Sequence, residues 1–100
     1  ALSRVDLQVF LLAVLNMSDK AIPMSEVARH KTKTDCWVAI DGKVFDVTHF
    51  LDDHPGGKKA ILIYAGKDAT EQFMMMHRPE ILKKYGEEFR VGVVKNGSRL

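Results

Sequence analysis

The chain has 100 residues, 46% hydrophobic and 28% charged, enough for one small globular domain and little else. Its formal charge is +2, with 15 basic residues interleaved among 13 acidic ones, which speaks against nucleic-acid binding. Cys36 is the single cysteine, so an internal disulfide and a cysteine-rich metal cluster are excluded.

Residues 1–23 read as an apolar leader and linker. Val5 to Leu15 is almost wholly apolar, broken by Asp6 and Gln8, and is shorter than the ~20 residues a membrane span takes. It reads as a short helix or strand packing on the domain, on a neighbour or on a second copy, the last being self-association through residues 5–15. Asn16 to Lys20 is linker-like, and the domain is expected to occupy residues 24–94. Ser25 is a candidate cap for a helix over Glu26 to His30, followed by a polar loop from Lys31 to Asp35. Cys36 to Ile40 and Lys43 to Val47 are β-prone runs joined by Asp41-Gly42, a strong hairpin signal. Thr48 to Leu51 leads into the turn His54-Pro55-Gly56-Gly57.

A helix is predicted over Lys58 to Ala65, stopped by Gly66. Asp68 and Glu71 stand at the spacing of a capping box, opening a helix through Phe73, Met74, Met75 and Met76 that ends near His77. Pro79 opens a short helix over Glu80 to Tyr85, closed by Gly86. Phe89 to Val94 is a final strand, and residues 95–100 read as a polar linker stub. The fold class is α+β, with helix pairs around a pocket on a small mixed β-sheet.

The two histidines carry the chemistry. Pro55 restrains His54 to an extended backbone, and Gly56 and Gly57 let the chain turn sharply and approach a flat ligand. His77 follows 23 positions later, held between a helix end and Arg78-Pro79. Two imidazoles on separate elements can reach opposite faces of one haem, and each would fix its orientation by donating its other N–H to a nearby carbonyl. Apolar walls are available in Phe50, Leu51, Ala60, Ile61, Tyr64, Phe73, Met75, Met76, Ile81, Leu82 and Tyr85. With no C-x-x-C-H motif, the haem would be held non-covalently. Two nitrogen ligands leave iron no open position, which favours one-electron transfer over chemistry at the metal. Among the remaining candidates, His30 and His49 read as surface or capping residues and Cys36 as a buried apolar residue. The methionine run reads as core, and Lys58-Lys59 and Lys83-Lys84 read as solvated helix faces.

Asp35-Cys36-Trp37-Val38, Gly42 to Thr48, Phe50-Leu51, His54-Pro55-Gly56-Gly57 and Ala65 to Glu71, together with the later histidine, resemble the cytochrome b5 family over about residues 24–94. The resemblance implies haem b with His54 and His77 as axial ligands, and electron exchange with a redox partner protein or a fused flavin, molybdenum or di-iron domain. It implies a compartment such as the cytosol or the mitochondrial intermembrane space. The interval between the histidines is one shorter than in the free microsomal form, and Met76-His77-Arg78-Pro79 looks closer to the haem domain of flavocytochrome b2. A haem domain of a larger oxidoreductase, not itself an enzyme, is therefore expected. Around the expected haem edge, Asp52, Asp53, Asp68 and Glu71 are offset by Lys58, Lys59 and Lys67. The acidic docking ring of microsomal members is thus largely neutralised. The rival readings are a haem- or ligand-binding regulatory module that transfers no electrons, and a catalytic site pairing His77 with Asp68 or Glu71, which lacks a nucleophile.

Overall fold

A computed structural model describes residues 20–95. The apolar run Val5 to Leu15, its expected packing or self-association, and all of the C-terminal stub beyond Lys95 lie outside the described residues.

The chain builds a mixed five-stranded sheet from β1 (Ala21–Ile22), β2 (Lys31–Thr32), β3 (Asp35–Ile40), β4 (Lys43–Asp46) and β5 (Arg90–Val94), in the order β1-β5-β4-β3-β2. β1 runs parallel to β5 and the other neighbours are antiparallel. The helices are α1 (Met24–Val27), α2 (Lys58–Leu62), α3 (Thr70–Met76) and α4 (Glu80–Tyr85). The predicted hairpin is present. Asp41 and Gly42 both have positive φ, 54° and 79°, as a two-residue turn matched to strand twist demands.

Strand alternation divides the core. Cys36, Val38, Ile40 and Phe45 face α2–α4, joined by Val47, Leu51, Ala65 and Ala69. Val44 faces the other way with Ile22 and Val27, flanked by Met24, Trp37 and Val94.

Several elements depart from the sequence reading. Pro23, not Ser25, starts α1, because its carbonyl accepts the Glu26 and Val27 amides at 2.9 and 3.3 Å. α1 stops at Val27, short of the expected His30, because the His30 carbonyl instead accepts the Trp37 N–H at 2.9 Å. Lys31 and Thr32, read as loop, pair with Cys36 and Asp35. The domain was expected from residue 24, yet Ala21 and Ile22 already pair with Val93 and Val94, and Ile22 is 1% exposed. A two-residue strand has no periodicity to read. α2 is shorter than expected, ending in tight turns before Gly66, whose φ of 75° makes the stop. Gly86 does not close α4 in a left-handed conformation. Its φ is −67°, it opens a 3₁₀ turn, and it lies against the Phe45 ring, where an added Cβ would sit 3.0 Å from Cε1.

Residues 66–70 close the free edge of β3. Gly66 N–H donates to Trp37 O at 2.7 Å, Ala39 N–H to Lys67 O at 3.0 Å and Ala69 N–H to Ala39 O at 2.7 Å. The Asp41 N–H then finds Thr70 Oγ1 at 2.7 Å. An exposed edge becomes a covered one, and the start of α3 is pinned to the sheet. The expected capping box is altered. Ala69, not Asp68, is the cap residue, so Glu71 falls at the second helical position and out of capping-box register. Asp68 keeps half of its expected role, accepting the Thr70 N–H at 2.8 Å.

Candidate haem site

A 3₁₀ helix, Thr48–Asp53, carries the chain from the sheet to His54. Its start is anchored on β3, where Thr48 Oγ1 accepts the Cys36 N–H at 2.8 Å and donates to Asp46 Oδ1 at 2.7 Å. His54 itself is extended, φ −70° and ψ 122°, as its place before Pro55 requires. The turn that follows closes through Gly57 N–H to His54 O at 2.9 Å, with Gly57 at φ 89°. His54 Nδ1 donates to Gly57 O at 2.8 Å, so the same turn that places the backbone also orients the ring and leaves Nε2 as an acceptor. Gly56 lies against the ring: a Cβ there would sit 3.0 Å from His54 Cε1.

His77 ends α3 and leaves the helical conformation, with φ −136° and ψ 151°. Its N–H donates to Phe73 O at 2.8 Å, and its ring stacks on Phe73 at 4.5 Å with 11° between planes. Its Nδ1 points to the same carbonyl at a long 3.4 Å. Both imidazoles thus turn Nδ1 toward a backbone carbonyl and keep Nε2 free, the arrangement that fixes a metal-binding tautomer. The ring centres of His54 and His77 lie 6.2 Å apart, with 40° between planes.

No cluster of three or more His, Cys, Asp or Glu side chains able to hold a metal is present among the described residues. Two nitrogen donors without a third protein ligand suit an ion that brings its own equatorial ligands, as haem iron does. Of the expected walls, Phe50, Ile61, Tyr64, Phe73 and Leu82 are partly buried against the sheet, while Leu51 is 3% exposed and belongs to the core beneath. Phe50 meets His54 edge-on at 5.7 Å and is backed by Phe89 at 5.2 Å. Phe89 and Leu62 pack with this group although the sequence reading assigned them no part in the walls. Pro55, Gly56, Gly57 and Ala60 are exposed, as are Ile81 and Tyr85. Met75 and Met76 stand at 73% and 68% exposure, and the half-buried methionine of α3 is Met74.

His30 has more structure than a surface or capping residue. Its ring stacks on Trp37 at 3.6 Å, with Nδ1 2.7 Å from Asp35 Oδ1 and Nε2 2.7 Å from Glu26 Oε2. Carboxylates accept, so both bonds form together when the ring carries a proton on each nitrogen. Burial pulls its pKa down, but the bonds to Asp35 and Glu26 outweigh this and raise it. The same bond holds Glu26 below the usual carboxylate range. Sequence spacing marks only the Glu26–His30 half of this clamp, an i,i+4 pair, because Asp35 and Trp37 come from β3. His49 is exposed, and Cys36 is fully buried, where burial pushes its thiol pKa up.

The model of the cytochrome b5-like haem/steroid binding domain matches residues 23–95. This chain belongs to that family. It is 49% identical over 73 residues to cytochrome b5 isoform D of Arabidopsis thaliana, covering 73% of this chain and 52% of that protein. It is 46% identical over 71 residues to the L-lactate dehydrogenase (cytochrome) of Saccharomyces cerevisiae, of which it spans 12%. The solved cytochrome b5 of Ostreococcus tauri virus 2 superposes with a TM-score of 0.69 at 57% identity, over 73% of this chain and 94% of that one. The chain is therefore a cytochrome b5-like electron-transfer domain with non-covalent haem b as its cofactor. No helix among the described residues is long and apolar enough to cross a membrane.

Proposed function

We propose that His54 and His77 are the two axial ligands of the haem iron, and that the domain passes single electrons between a redox partner and that iron. The observation that carries this is the ring separation. Two imidazoles bonded to opposite sides of one metal ion at the usual ~2 Å would have centres about 6.3 Å apart. The two rings stand at 6.2 Å.

When bound, haem supplies the one-electron chemistry; the chain supplies binding, orientation and surroundings. Gly57 O and Phe73 O hold the two Nδ1–H groups, which keeps both Nε2 lone pairs available. Phe73 stacks on His77 and stiffens it. Phe50, Ile61, Tyr64 and Leu82, with Met75, Met76 and Tyr85 at the rim, form the apolar lining that excludes water. With both imidazoles bound to the iron, no coordination position would be left for oxygen or substrate.

Fusion to a larger oxidoreductase is supported by the likeness to the yeast lactate dehydrogenase. A free-standing carrier is supported by the viral cytochrome, nearly all of whose length this domain spans. An antibody against residues 24–94 separates the two by the size of the native polypeptide it detects.

Absorption spectra of the oxidised and dithionite-reduced protein test the ligand assignment. A Soret band that shifts on reduction, with split α and β bands and no response to carbon monoxide, is the expected result. His54→Ala and His77→Ala should each abolish that spectrum. Ready carbon monoxide binding by the unaltered protein, or retention of the low-spin spectrum in either variant, overturns it.

A further inference from the structure

Five exposed lysines gather beside the site. Lys33 and Lys58 line one shallow depression with Thr34, Thr48, Leu51 and Asp52, and Lys59 follows Lys58 at the start of α2. Lys31 lies against Gly66, its Cβ 3.1 Å from where a glycine-borne Cβ would sit, which brings it beside Lys67. The sequence reading set Asp68 and Glu71, with Asp52 and Asp53, against Lys58, Lys59 and Lys67 alone. The structure turns the Asp68 carboxylate to the Thr70 amide at 2.8 Å, and neither Asp68 nor Glu71 forms an ion pair with a lysine of this face among the described residues.

The acids left nearby are few. Asp52 reaches Lys58 at 3.8 Å, an exposed pair of small worth, and Asp35 is engaged by His30. Lys31, Lys33, Lys59 and Lys67 have no ion-pair partner among the described residues. Five lysines against Asp52 and Asp53 leave three positive charges here, more than the formal +2 of the whole chain. Ile63, 64% exposed, sits one helical turn beyond Lys59 and offers an apolar contact within a charged rim.

We propose that this lysine face docks an acidic surface of the redox partner protein, opposite in sign to the acidic docking ring. All five charges are lysines, hydrated point charges suited to steering and short-lived contact rather than to bidentate phosphate capture. The face has no exposed aromatic for base stacking, and a single isoleucine gives little apolar insertion into lipid. Lys58 follows His54 by one turn of chain, so a partner seated here sits next to an iron ligand. The redox character of the partner rests on the proposed electron-carrier function; the docking itself does not.

The test is an amide NMR titration of the full chain with polyglutamate at low ionic strength, alongside sedimentation with phosphatidylserine-containing vesicles. Shifts confined to residues 31–34, 58–63 and 66–67, reversed by salt, are expected. The combined variant K33E/K58E/K59E/K67E should weaken binding at least about tenfold, and K83E/K84E on α4 less than about twofold. Shifts centred on α4, equal weakening by both variants, or vesicle binding without a polyglutamate response would overturn the proposal. Loss of the haem spectrum would refute the ligand assignment and leave this titration readable.

Discussion

The two faces of the sheet are finished in different ways. On one, Ile22, Val27 and Val44 are essentially inaccessible to solvent, and Trp37 is roofed by His30 between two carboxylates. On the other, the buried residues come from the strands, the 3₁₀ helix and the connecting segment, while α2, α3 and α4 contain no buried residue at all. Those helices have five, seven and six residues, far below the ~12–15 at which an isolated helix becomes even marginal in water. One face is closed by its own side chains. The other is built to be completed by a flat apolar guest, which makes ligand binding part of its stability.

The largest expected effect follows directly. Stripping the haem should erase hydrogen-exchange protection in residues 58–62, 70–76 and 80–85 while residues 35–40, 43–46 and 90–94 keep theirs. The cost is at least about 4 kcal/mol if the group is present at a thousandfold over its Kd. Uniform loss across both regions would break the comparison. Next comes Gly92→Val on the closed face. A side chain there collides with the Lys20 carbonyl and comes within 2.7 Å of Ile22 Cδ1, so a loss of about 3 kcal/mol in urea unfolding is expected, with the haem spectrum unchanged. An altered spectrum would show that the faces are coupled.

Gly66→Ala is milder. Its φ of 75° and the approach of Ala28 Cα to 3.2 Å predict a loss of about 1–2 kcal/mol, read from the thermal midpoint. Because Gly66 also holds the edge segment that launches α3, faster haem loss should accompany it.

The smallest effect is the pH response of the His30 clamp. The folded pKa of His30 is raised, so its contribution is complete below the ordinary value of 6.5 and disappears as pH rises through the folded value. The folded pKa of Glu26 is lowered, so its contribution is present above 4.5 and is lost as pH falls through the folded value. The clamp is therefore strongest between about pH 4.5 and 6.5. The thermal midpoint of the native chain relative to His30→Asn should narrow on going from pH 6 to pH 9. A constant difference would mean that the ring does not titrate in the clamp.

The site was legible where chemistry is local. His54-Pro55-Gly56-Gly57 states its own turn, and Asp41-Gly42 its hairpin, because proline and glycine act on the backbone they belong to. Phe73 and His77 could be paired from helical spacing, four residues apart. Phe89 and Leu62 escaped the reading of the walls, since their place beside Phe50 depends on how β5 and α2 settle on the sheet.

From the sequence alone follow the α+β class, the hairpin, the four α-helices to within a few residues, and two histidines restrained at their backbones. Tertiary structure decided the rest. Only pairing with β5 makes a strand of Ala21–Ile22, and only the free edge of β3 explains why Ala65 to Thr70 runs as it does. Only the packing of α1 on β3 closes two carboxylates on His30. The 6.2 Å between the His54 and His77 rings and the meeting of Lys33 with Lys58 belong to the same group. The division has one cause. Turn and cap preferences act within a few bonds, whereas a contact between residues tens of positions apart exists only after the chain has buried its apolar faces and brought the partners together.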